Sequence, residues 1–167
     1  GKTGLRATCV GKEGHSALAP FALNALHLGA DFVNLWRTMQ DEIARGAHQD
    51  QDYDVPYTTL HVGKMQGGVA LNIVPNLCTI DFEIRNIAAD DPAAILDELR
   101  DRLQPINDAA REVAPECGIT FEVFNTYPGL DTPVDSAVVN FVKSLTGGNG
   151  TNKVAFGTEG GLFSGVL

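Results

Sequence analysis

Leu77-Cys78-Thr79-Ile80-Asp81-Phe82-Glu83-Ile84-Arg85 is the stretch that settles the architecture. Successive side chains of a strand point to opposite faces, so Cys78, Ile80, Phe82 and Ile84 share one side. Thr79, Asp81, Glu83 and Arg85 share the other. An apolar face backed by a charged one predicts an antiparallel strand, one side on a core and the other on water or a cleft. Shortly afterwards Asp91-Pro92 reads as a helix cap followed by a first-turn proline. Ile95, Leu96, Leu99, Leu103, Ile106 and Ala110 then form the stripe of an amphipathic helix, with Pro105 kinking or loosening one turn. Residues 118–124 (GITFEVF) read as a strand opened by glycine.

Toward the N-terminus, residues 57–64 (YTTLHVGK) have strand composition, Gly67-Gly68 breaks the pattern, and Asn72 to Pro75 reads as irregular or extended chain. Ala22, Ala25, Leu26, Gly29, Phe32, Val33, Trp36, Met39 and Ile43 recur at steps of three and four. That spacing predicts a long helix, with Pro20 near its first turn and a stop near Gly46. Residues 4–10 read as a strand, joined to the helix by a Gly-Lys-Glu-Gly-His turn. The order strand, helix, strand, strand, helix, strand predicts an α+β, ferredoxin-like βαββαβ fold over residues 1–125: a four-stranded antiparallel sheet with both helices on one face. The Pro/Gly-rich joint at 126–133 marks a boundary, and residues 126–167 read as a segment of a second domain. In it, Val134, Val138, Phe141, Val142 and Leu145 predict a short helix, and Lys153 to Phe156 a strand running into the Gly157–Gly161 loop.

The chain has 167 residues, 44% of them hydrophobic and 20% charged, which is globular composition. Twelve Lys and Arg stand against 21 Asp and Glu, a net charge of −9. Such a balance repels phosphate backbones and anionic lipid, so neither nucleic acid nor membrane is an expected partner. There is no apolar run of membrane-spanning length and no signal-peptide core at the start. Cys9, Cys78 and Cys117 are odd in number and widely spaced, which points to reduced thiols in a cytoplasmic protein. Both ends look cut, with glycine crowding the last stretch, so a missing piece on each side is expected.

Four positions invite chemistry. Arg85 sits on the polar face of a rigid strand, where a guanidinium can grip a carboxylate in bidentate fashion; the alternative is an ion pair with Asp81 or Glu83. Asn72, in the segment before that strand, can donate to the same anion. His15 lies in a glycine-flanked turn, placed either to donate to a developing oxyanion or to do nothing beyond the turn. The Gly157–Gly161 loop lacks the Lys-Ser/Thr of a phosphate-binding loop and reads on spacing as a simple turn. His48-Gln49-Asp50 matches the literal H-x-D of some zinc sites, but its acidic loop has no strand to orient it. Neither it, His27 nor His61 builds a metal site with neighbours, and Ser16 beside His15 is not on a nucleophile elbow.

Three blocks carry a resemblance. Gly14-His15-Ser16-Ala17 with Pro20 and Asn24-Ala25, then Gly67-Gly68-Val69-Ala70-Leu71-Asn72-Ile73-Val74-Pro75 leading to Asp81-Phe82-Glu83-Ile84-Arg85, then Phe156-Gly157-Thr158-Glu159-Gly160-Gly161-Leu162-Phe163 resemble, in order, motifs of the M20 family of two-zinc amidohydrolases. The last block is similar to the form used by the deacetylase branch rather than the desuccinylase branch. The resemblance implies that residues 1–125 are a lid, or dimerisation, domain and that 126–167 return to a catalytic domain. It implies a homodimer in which His15 reaches into the partner's active site as the oxyanion-stabilising catalytic residue. Asn72 and Arg85 would hold the carboxylate of a small acylated amino acid, with Thr158 and Glu159 lining the same pocket. Zinc or cobalt would serve the intact enzyme through ligands lying outside this chain, so no metal ligand is expected here and the chain alone is expected to be inactive. The alternatives are another family member, a desuccinylase or aminoacylase, or a free-standing ferredoxin-like dimerisation or ligand-binding module.

Overall fold

The computed structural model describes residues 1–148 and 150–164. Its main sheet contains β1 (Lys2–Val10), β3 (Thr59–Gly67), β5 (Leu77–Arg85) and β6 (Gly118–Tyr127), in the order β3-β5-β1-β6 with every neighbour antiparallel. Helices α1 (Ala25–Arg45) and α2 (Pro92–Val113) complete the ferredoxin-like arrangement that the pattern predicts. Two short strands, β2 (Gly14–His15) and β4 (Ile73–Val74), form a separate ribbon. Beyond the sheet lie α3 (Ala137–Thr146) and a single turn, α4 (Gly160–Phe163).

β5 behaves as its alternation dictates. Cys78, Ile80, Phe82 and Ile84 are buried, whereas Thr79, Asp81, Glu83 and Arg85 are not. The buried side meets Leu5, Ala7 and Cys9 of β1, Phe32, Trp36 and Met39 of α1, and Leu96, Leu99 and Leu103 of α2. Phe82 stands at the centre. Phe32 and Trp36 meet it edge-on at 4.9 and 5.0 Å between ring centroids, and Phe121 of β6 at 6.2 Å. The α1 helix approaches closely because Gly29 faces the sheet: a Cβ there would lie 2.7 Å from Met65 Cε and 2.9 Å from Cys78 Sγ.

Caps explain where the helices begin. Asn24 Oδ1 accepts from Leu26 N at 2.8 Å, and Asp91 Oδ1 from Ala93 N at 2.9 Å, satisfying first-turn donors. The long helix therefore starts at Ala25, later than the apolar stripe suggests. Ser16–Phe21, including Pro20, forms a separate 3₁₀ segment that ends before the Asn24 cap. α2 continues through Pro105, whose exposed position tolerates the missing N–H. β3 and β6 run three residues past the expected ends, and Lys153–Phe156 is not a strand. That segment has no neighbouring strand to pair with, and β-propensity without a partner does not make a strand.

Cys9 and Cys78 face each other across β1 and β5, and with Cys117 all three thiols are free and buried. Burial pushes the Cys9 thiol up to about 12, and it raises Cys78 and Cys117 as well. Two outcomes are expected. Phe82→Ala should cost about 3–5 kcal/mol in urea unfolding, the range for removing a large buried aromatic. The native chain should resist an aromatic disulfide reagent at pH 8, because its thiols are protonated as well as buried, and should release three thiols per chain once unfolded.

Candidate functional site

Two groups of residues emerge, one at each end of β5. At the Leu77 end, the β2–β4 ribbon pairs His15 with Ile73, and Ser16 N donates to the Asn72 carbonyl at 3.0 Å. The ribbon thus sets His15 and Asn72 side by side, both exposed. The His15 ring also caps the 3₁₀ segment: Nδ1 accepts from Ala17 N at 3.2 Å. With Nδ1 accepting from the backbone, Nε2 is the ring's N–H donor, directed away from its own turn. Around this tip Leu18, Phe21, Val69 and Leu71 are all exposed, Phe21 by 76% and Leu71 fully. Exposed apolar groups clustered in two neighbouring loops are a feature of surfaces that another molecule covers.

At the Arg85 end lies a cleft of about 450 Å³, lined by Arg85, Tyr53, Tyr127, Lys153, Phe156 and Thr158 among others. The sheet supplies Arg85 and Tyr127, the loop before β3 supplies Tyr53, and the segment after β6 supplies Lys153, Phe156 and Thr158. Arg85 is one-third exposed, and its Nε donates to Glu83 Oε1 at 3.0 Å. That hydrogen bond, reinforced by the charge of Glu83 and by Tyr127, holds the guanidinium above its ordinary range, so it stays charged at any working pH. Lys153 is committed elsewhere: its Nζ lies 2.6 Å from Asp50 Oδ2 and 3.4 Å from Asp131 Oδ1, contacts that raise it and lower Asp50.

Glycine builds the far wall. A Cβ at Gly157 would collide with the Tyr127 ring and hydroxyl, and one at Gly161 with the Pro128 carbonyl. The 126–133 joint and the Gly157–Gly161 loop therefore pack as one unit, so the loop is more than a turn, and it carries Thr158 to the cleft that holds Arg85.

Not every expected neighbour arrives. Arg85 and Thr158 share the cleft, but Glu159, exposed at the start of α4, is not among its lining residues. Asn72 and Arg85 cannot touch one carboxylate within a chain, since β5 separates them by roughly 25 Å at about 3.3 Å per residue. The ion-pair alternative for Arg85 is present too, with Glu83, while Asp81 pairs with Arg6 at 2.7 Å. His48 is not simply solvated: Nδ1 lies 2.6 Å from Asp90 Oδ1, and Asp90 Oδ2 accepts from the buried Thr58 hydroxyl. Tyr53, Tyr127 and Lys153 carry no motif, and sequence reasoning missed them. Only the place of Tyr127 in the 126–133 joint hinted at it.

Among the described residues no three His, Cys, Asp or Glu side chains converge to hold a metal ion. The residues present therefore do not fit the zinc or cobalt that the resemblance implies. No described helix is long and apolar enough to cross a membrane.

With this geometry, comparison with known proteins is direct. Residues 1–111 match the M20 peptidase dimerisation domain, and the chain belongs to that family. Among curated relatives, it is 30% identical over 149 residues to the acetylornithine deacetylase of Myxococcus xanthus, covering 89% of this chain and 38% of that protein. It is 25% identical over 140 residues to the acetylornithine deacetylase of Aliivibrio salmonicida, covering 82% and 35%. The chain thus spans under two fifths of the length of these relatives. Among solved structures, an aminohydrolase from methicillin-resistant Staphylococcus aureus superposes with a TM-score of 0.68 at 19% identity, over 89% of this chain and 36% of that one. A tripeptidase from Staphylococcus aureus gives 0.62 at 21% identity, over 99% and 40%. At such identities the structural likeness establishes the fold.

Gly157→Ala should force the Tyr127 ring aside, at about 1–3 kcal/mol of local overpacking. Limited proteolysis is expected to cut the 128–164 segment faster in this variant, while residues 2–127 keep their resistance; unchanged cleavage would show that the joint and loop do not depend on each other.

Proposed function

We propose that the chain is the dimerising, substrate-gripping part of an N-acyl amino-acid amidohydrolase of the acetylornithine deacetylase type. The observation that carries this reading is the division of the site residues between the two ends of β5. One chain cannot focus His15 and Arg85 on a single small molecule, but two chains related by a two-fold axis can. The tip of one protomer then enters the cleft region of the other, which also gives the exposed Leu18, Phe21, Val69 and Leu71 something to cover.

In that assembly Arg85 anchors the substrate carboxylate from the cleft's own chain, and Thr158 lines the same end. His15 from the other chain donates its Nε2 proton to the oxygen of the amide carbonyl as charge develops on it, with Asn72 beside it. An imidazole fixed by a backbone N–H at Nδ1 suits this task, because its donor needs no reorganisation as the reaction proceeds. The intact enzyme would convert N2-acetylornithine to ornithine and acetate, a step of arginine biosynthesis in the cytoplasm. Its zinc or cobalt would be held by residues outside this chain, within a catalytic domain to which residues 126–167 belong, so the chain alone should not turn over substrate.

The test is subunit complementation in the parent enzyme. His15→Ala should lower kcat by about 10²–10³-fold, the range for one lost oxyanion donor, with a small effect on KM. Arg85→Ala should act mainly by raising KM. At substrate well below the raised KM, where both variants are impaired, co-refolding them should restore about a quarter of wild-type activity, since half the dimers are mixed and each mixed dimer regains one complete site. No restoration would mean that both residues serve the same chain's site, and activity of the 167-residue chain alone with zinc or cobalt would refute the division of labour.

A further inference from the structure

Glu83 precedes Arg85 by two residues on β5, so the two side chains share the open face of the sheet. One Glu83 oxygen takes the Arg85 Nε proton at 3.0 Å, and the other lies 3.6 Å from Lys2 Nζ, with both acidic and basic groups about a quarter to a third exposed. A guanidinium is a planar fork of five N–H donors. Its Nε donor is occupied here and the Tyr127 hydroxyl also lies against the guanidinium, while among the described residues no carboxylate hydrogen-bonds to Nη1 or Nη2. Among the described residues the cleft's other cationic side chain, Lys153, is shared between Asp50 and Asp131.

Resting on the reading of Arg85 as the carboxylate anchor, we propose that Glu83 is its positioning residue: by holding Nε from within the strand, it presents the paired Nη donors to the cleft and suits that end to a single carboxylate of an acylated amino acid. Lys2, on the far oxygen of Glu83, keeps the carboxylate from swinging round to the Nη end. The carboxylate of Glu83 has two opposed effects on a bound anion. Its charge repels the ligand, while its hydrogen bond removes side-chain freedom that binding would otherwise have to remove. The bond at Nε, rather than a bidentate pair across Nη1 and Nη2, makes the second effect dominate, because no carboxylate of the chain occupies the ligand-facing donors.

The experiment uses the 167-residue chain with nitrogen-15-labelled arginine, cooled so that rotation about Nε–Cζ is slow, with Arg85→Ala to assign the signals. Resolved Nη resonances for Arg85 are expected in the wild type and in Glu83→Gln, which keeps an acceptor, and their collapse in Glu83→Ala. On titration with N-acetylglycine the Nη signals should move more than Nε. Affinity should fall about threefold in Glu83→Gln and about tenfold in Glu83→Ala, the cost of ordering one free side chain on binding. Unfolding midpoints accompany each variant, so that a loss of fold is read as such and Glu83→Gln then decides. Nη signals alike in wild type and Glu83→Ala, or tighter binding by Glu83→Ala, as a mere competitor for the guanidinium would give, overturns the proposal. Resolved signals that ignore N-acetylglycine support the positioning and count against the carboxylate reading beneath it.

Discussion

The contact between the apolar face of β5 and the aromatic face of α1 organises everything else. Phe82 sits between Phe32 and Trp36, and its neighbours Ile80 and Ile84 are wholly buried. Each such side chain contributes about 1.5–3 kcal/mol on leaving water. A slip of one residue in β5 would turn the apolar set outward and the charged set into the core, so the register is strongly fixed. That constraint is what makes the open face reliable as a platform. Asp81, Glu83 and Arg85 face outward because their alternate neighbours must face inward.

From this platform the placement of the candidate site residues follows by geometry. β5 carries Arg85 at one end, and its other end leads back to the β2–β4 ribbon with His15 and Asn72. A straight strand of this length is a spacer between two tips. It keeps apart residues that a single site would have to gather, and that separation is the physical argument for an assembly of two chains. The membership of residues 1–111 in a peptidase dimerisation family agrees with it.

Charge is handled locally. The net −9 of the chain is not spread evenly. Arg6 neutralises Asp81, Lys2 and Arg85 flank Glu83, and Lys153 is drawn to Asp50 and Asp131. Pairs this exposed add little to stability. Their consequence is directional: Glu83 takes the Nε donor of Arg85, and no carboxylate among the described residues hydrogen-bonds to its Nη donors.

Periodicity along the chain was sufficient for the βαββαβ order, the cap at Asp91, the stop near Gly46 and the outward face bearing Arg85, because each depends on neighbours within a few residues. The same local information misplaced the start of α1, where Asn24 rather than the apolar stripe decides, and put Lys153–Phe156 in a strand for which the described residues offer no partner. His15, Asn72, Arg85 and Thr158 were legible as types, through three motif blocks. Their partition was not, since it depends on which end of β5 each loop returns to. Tyr127 shows the limit most plainly. Along the chain only its place in the 126–133 joint marks it, and it matters because folding brings Gly157, thirty residues later, against its ring and Arg85, more than forty residues earlier, beside it. Local pattern fixes the direction in which a side chain points; only long-range packing decides what it points at.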